Sequence, residues 1–92
     1  MKQVRVVISG TVQGVSFRYF ICEQAELLHI TGWVRNTKDG NVEALFQGEE
    51  ASVAKMVKRC LKGPTMAEIK NVTIEEADGP IYRDFVIKNT YV

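Results

Sequence analysis

The sequence is poor in the side chains from which metal sites and disulfide frameworks are built. Its 92 residues include one histidine, His29, and two cysteines, Cys22 and Cys60. One imidazole and two isolated thiols make no metal-ligand cluster, so no metal and no other cofactor is expected. Neither sign of charge dominates: 12 Lys and Arg stand against 11 Asp and Glu, a net charge of +1 at pH 7. That argues against a general nucleic-acid binder, which presents a strongly basic face. No apolar run approaches the roughly 20 residues of a membrane span. Met1-Lys2-Gln3 leads into a strand-like run too short and too interrupted for a signal peptide. A cytoplasmic monomer with no nucleic-acid or membrane partner is expected.

The composition is that of an ordinary globular domain, 46% hydrophobic and 25% charged, and the length suits one domain over residues 1–92. A disulfide is not expected. On a helical wheel with about 100° per residue, Cys60 falls in the apolar stripe of its segment and Cys22 well to the side of its own. Both are read as free thiols.

Taken in order, Val4, Val6 and Ile8 alternate with Arg5, Val7 and Ser9 as a half-buried strand. A helix is predicted from about Ser16 to Leu28, with Phe17, Phe20, Ile21, Ala25 and Leu28 on one stripe and His29 at its end. Residues Thr31 to Asn36 and Val42 to Gln47 flank Lys38-Asp39-Gly40-Asn41, which reads as a hairpin turn. Glu49 and Glu50 open a second helix with Val53, Met56, Val57, Cys60 and Leu61 on its buried face, and Gly63-Pro64 stops it. Ala67 to Glu76 reads as a strand. Ile69 has the opposite parity to Val72 and Ile74, which a bulge or a late start reconciles. Phe85 and Ile87 mark a short last strand, and a loose tail is expected from Asn89 to Val92. The order β-α-β-β-α-β plus a short strand predicts an α+β, ferredoxin-like split βαβ sandwich: an antiparallel sheet with two helices on one face.

Two stretches invite a chemical reading. Gly10-Thr11-Val12-Gln13-Gly14-Val15-Ser16-Phe17-Arg18 joins the first strand to the first helix. Two glycines allow successive N–H groups to point inward, and a helix start offers free donors and the positive end of its dipole. Arg18 adds a planar fork that matches two phosphate oxygens. The residues leave two roles open, a solvated turn or an anion site. A nucleotide-binding Gly-Lys-Ser/Thr is missing, and no cysteine precedes the loop as a nucleophile. Asn36 ends the second strand. It suits a hairpin, where its amide satisfies backbone groups, and it also suits holding a water, since a carboxamide both donates and accepts.

Together these stretches resemble the acylphosphatase family. Gly10 to Arg18 fits the signature G-x-V-Q-G-V-x-F-R. Gly32-Trp33-Val34-Arg35-Asn36, followed by Gly40, Val42 and Gly48, fits the second, and Gly63-Pro64 with Ala67 is also similar. The resemblance spans roughly residues 4 to 88. It implies the α+β sandwich and metal-independent hydrolysis of a small acyl phosphate to a carboxylate and phosphate. By that resemblance Arg18 and the backbone amides of Val12, Gln13, Gly14 and Val15 hold the phosphoryl group, and Asn36 orients the attacking water. The ending Lys88-Asn89-Thr90-Tyr91-Val92 departs from the family pattern of an arginine and an aromatic. The competing expectation is a ferredoxin-like small-ligand or RNA-binding module. RNA-binding versions carry paired aromatics on the central strands, and here strand three has only Phe46.

Overall fold

Strand β1 (Lys2–Thr11) lies between two partners in the computed structural model, which describes residues 1–89. It pairs antiparallel with β3 (Val42–Gly48) on one side and with β4 (Glu68–Glu76) on the other. β2 (Thr31–Asn36) pairs antiparallel with the far edge of β3, and the sheet order is β4-β1-β3-β2-β5. The four long strands are antiparallel, as expected. The short β5 (Phe85–Ile87) runs parallel to β2, so the five-stranded sheet is mixed. The expected tail falls largely on residues 90–92, which lie outside the described residues.

Alternation along the strands decides the two faces. Val4, Val6 and Ile8 stand opposite Phe46, Ala44 and Val42, and all six are buried under the helices. Helix α1 (Phe17–Leu27) buries Phe17, Ile21 and Ala25, while α2 (Glu50–Lys62) buries Val53, Met56 and Cys60. Both helices thus cover one face. Phe46 is fully buried there and stacks on Phe85 with ring centroids 6.0 Å apart, so it offers no platform for a base. Leu61 departs from the expectation and is 54% exposed. It sits roughly 90° from the centre of the α2 stripe, where the sheet no longer reaches it.

The parity conflict in β4 is resolved by a bulge. Ser9 pairs with Asn71 and Gly10 with Ile69, which leaves Lys70 as the extra residue. Gly10 is needed where the strands close up: a Cβ there would stand 2.1 Å from the Glu68 carbonyl oxygen. Both thiols are free. Cys60 is completely buried, which pushes its thiol up to about 12, and half-buried Cys22 is also raised, by burial and then by the charge of Glu26.

The opposite sheet face mixes apolar side chains, Trp33 and Leu45 among them, with a charged cluster. Glu43, nearly buried, accepts from Arg35 Nε at 2.8 Å and from Arg5 Nη1 at 2.5 Å. Burial alone would push its carboxyl up. The hydrogen bonds from Arg35 and Arg5, together with their charges, outweigh that and hold it below the usual carboxylate range.

Candidate active site

β1 and β2 are each antiparallel to β3, so they run parallel to one another and end at the same edge of the molecule. One row across the sheet, Ile8–Val42–Asn36, ties the two ends in register. Val34 faces the helices, and two residues on so does Asn36. The turn from Val12 to Ser16 leaves β1 at that edge and enters α1, with Arg18 in the first helical turn.

The two stretches meet in a cavity of about 230 Å³ lined by Val12, Gly14, Ser16, Phe17, Arg18, Tyr19 and Asn36. A concavity of about 460 Å³ lies elsewhere, between Met1, Lys2, Glu49 and Glu50. It holds no unsatisfied buried group, so size does not identify the site.

The turn is shaped by two left-handed residues. Gly14 has φ 73° and nothing near its missing Cβ, so the backbone conformation itself calls for glycine there. Ser16 has φ 63°, ψ 24° and makes no side-chain cap to the helix. Alternation of this kind turns successive amides toward one side, as in anion-binding nests. Among the described residues, the N–H groups of Val12, Gln13, Gly14 and Val15 donate to no protein acceptor. The three side chains among these four diverge: Val12 is buried in the core, Val15 packs against its edge, and Gln13 reaches across to the hairpin.

Arg18 makes no ion pair or side-chain hydrogen bond among the described residues, which leaves its fork available. Asn36 Oδ1 is buried and accepts no hydrogen bond. An orphaned buried acceptor costs about 1–3 kcal/mol, and such groups call for an explanation in terms of use. Thus the structure brings Arg18, Asn36, Val12 and Gly14 to one cavity, whereas Gln13 and Val15 lie next to these in the chain and do not line it. Three liners escaped sequence reasoning: Phe17, which reads as core, and Ser16 and Tyr19. Tyr19 follows Arg18 and is 68% exposed at the mouth, as an off-stripe helical position should be.

The molecule is thus a split βαβ sandwich with free amides and an unpaired arginine at one sheet edge. The acylphosphatase family model matches residues 4–87. An acylphosphatase of Rubrobacter xylanophilus is 51% identical over 75 residues, covering 82% of this chain and 68% of that protein. That of Pelotomaculum thermopropionicum is 47% identical over 76 residues, 83% of each chain. The crystal structure of the Bacillus subtilis acylphosphatase superposes with a TM-score of 0.91 at 32% identity, over 96% of this chain and 99% of that one. The chain belongs to the acylphosphatase family.

Proposed function

We propose that this cavity hydrolyses acyl phosphates, with Arg18 and Asn36 as the catalytic pair. Family membership supports the reaction: an acid-anhydride hydrolase splits a carboxylic–phosphoric anhydride to a carboxylate and inorganic phosphate. The observation that carries the assignment is the orphaned Oδ1 of Asn36 in the cavity that holds the unpaired Arg18. The amides of Val12, Gln13, Gly14 and Val15 and the Arg18 fork bind the phosphoryl oxygens. Phosphoryl transfer needs chiefly positioning and charge stabilisation, and these groups supply both. Asn36 Oδ1 accepts a hydrogen bond from the nucleophilic water and holds it in line. The water oxygen bonds to phosphorus as the bond from phosphorus to the acyl oxygen breaks. The carboxylate leaves with the electron pair, and the water's proton passes to a phosphoryl oxygen. A carboxylate is a stable anion, so no general acid is called for.

Among the described residues no group of three or more His, Cys, Asp or Glu side chains stands together, and we propose that turnover requires no metal. Both halves of the site come from one domain of one chain, which fits a monomer acting on a small substrate in the cytoplasm. The RNA-binding alternative loses its support with Phe46 buried in the core.

Benzoyl phosphate hydrolysis in excess chelator tests the proposal. Turnover with competitive inhibition by inorganic phosphate is expected. Loss of activity restored by Mg²⁺ would contradict the metal-free site, and noncompetitive inhibition would contradict the shared anion cradle.

A further inference from the structure

We propose that Gln13 is a positioning residue: its side chain sets the placement of Asn36 against the phosphate cradle. The inference rests on the roles given above to Arg18 and Asn36. The carboxamide nitrogen of Gln13 donates to the carbonyl oxygen of Thr37 at 2.8 Å and to that of Asn41 at 2.8 Å. Thr37 follows Asn36 directly, and Asn41 precedes its cross-strand partner Val42. The two acceptors therefore lie at the two ends of the hairpin loop that begins where Asn36 ends.

That loop is also closed internally. The Thr37 N–H donates to the Asn41 carbonyl at 2.9 Å, the Gly40 N–H to the Thr37 carbonyl at 3.3 Å, and the Asn41 N–H to Thr37 Oγ1 at 3.1 Å. The Thr37 carbonyl thus takes one bond from the hairpin and one from Gln13, within the capacity of two lone pairs. The Asn41 carbonyl takes the Thr37 N–H and Gln13, with Thr37 Oγ1 as a third, longer contact at 3.3 Å. An NH₂ group is the fragment that serves two convergent acceptors at once. Glutamate would present oxygen to oxygen, and asparagine is one methylene too short.

The contact matters because the two halves of the site have separate foundations. The cradle stands on the β1–α1 turn and Asn36 on the end of β2, and β3 lies between their strands. That puts the two strand axes roughly 10 Å apart. Among the described residues, no other side-chain hydrogen bond or ion pair joins residues 12–16 to residues 36–41. Without the Gln13 bridge each half keeps its own shape, but their relative placement loosens. A misplacement of about 1 Å can lower a rate by about 10²-fold.

The test measures kcat on benzoyl phosphate and the phosphate inhibition constant for Gln13→Met, which keeps the length and removes both donors. Gln13→Asn, which keeps the donors and shortens the reach, is measured alongside. Both substitutions are made in the wild-type and Asn36→Ala backgrounds. Each should lower kcat by about tenfold with the inhibition constant changed by less than about twofold. Neither should slow Asn36→Ala further, because the group being positioned is gone. Wild-type turnover by Gln13→Met, a loss of phosphate affinity as large as the loss in kcat, or a full multiplicative effect in the double variant would each overturn the inference. If Asn36→Ala itself turns over normally, the catalytic assignment fails and Gln13 falls with it. If Asn36→Ala is crippled and Gln13→Met still costs its full factor on top, only the role of Gln13 fails.

Discussion

Arg18 and Asn36 line one cavity although the first opens a helix and the second closes a strand. They offer opposite chemistry to it, a cationic donor fork and an unsatisfied acceptor. On the proposed mechanism Arg18 contacts the phosphoryl group before and during reaction, so its loss acts on binding and on rate. Arg18→Lys keeps the charge but not the fork and is expected to lose most activity and to weaken phosphate inhibition. On the same proposal Asn36 contacts the water. Asn36→Ala is expected to lower kcat by about 10²-fold or more, the scale of one well-placed polar catalytic group, with phosphate inhibition nearly unchanged. It also removes an orphaned buried oxygen, so its melting temperature should not fall. Kinetics and thermal melts on both variants check this. Normal turnover by Asn36→Ala, or equal loss of phosphate affinity in both, would refute the division of labour.

Much of this was legible in the chain, for definite reasons. Alternation in β1 and β3, the 3.6 period in both helices and the Asp39-Gly40 turn are local signals that tertiary packing then obeyed. The positions of Arg18 and Asn36 followed because one opens a helix and the other closes a strand, and the topology brings those two ends to one edge. What escaped was set at longer range. The parallel pairing of β5 depends on how the segment after β4 returns, and a three-residue strand carries no mark of its direction. The reach of Gln13 to Thr37 and Asn41 needs the hairpin in place, and Leu61 fits the apolar stripe but overhangs the sheet. Ser16 gave no hint of its left-handed backbone, since serine has no special tolerance for it.

Two non-glycine residues, Ser16 and His29, hold positive φ, and they should respond differently to relief. His29 (φ 57°) terminates α1: its N–H donates to the Glu26 carbonyl at 3.2 Å and that of Ile30 to the Ala25 carbonyl at 2.8 Å. This is a helix end that favours glycine at the left-handed position. The left-handed conformation costs an L-residue about 1–2 kcal/mol, and glycine gives part of that back as unfolded-chain entropy. His29→Gly is expected to stabilise by about 0.5–1 kcal/mol, a rise of several degrees in melting temperature for a domain of this size, with kcat unchanged. Ser16→Gly should also stabilise, but it loosens the cradle, so kcat should fall. Melting curves and kcat on both variants decide. A destabilised His29→Gly would mean that the imidazole contributes more than the strain it carries.

The buried Glu43 carboxylate makes stability depend on pH. Its folded pKa lies below the ordinary value of 4.5 because Arg35 and Arg5 hydrogen-bond its charged form. A depressed carboxylate contributes stability that is fully present above the unfolded value and is lost as pH falls through the folded one. Above about pH 5 the contribution should therefore be constant, and below 4.5 it should shrink steadily. Glu43→Gln removes the charge while keeping the shape, leaving Arg35 and Arg5 with a weaker acceptor. At pH 7 it is expected to destabilise by about 1–3 kcal/mol, the scale for removing one partner of a buried hydrogen-bonded group. Because the glutamine does not titrate, the gap between wild type and variant should narrow as pH drops below 4.5. Urea unfolding of both proteins at several values between pH 7 and pH 3 measures that gap. A gap that stays constant over the range would show that Glu43 titrates alike in the folded and unfolded chains, contrary to the paired geometry.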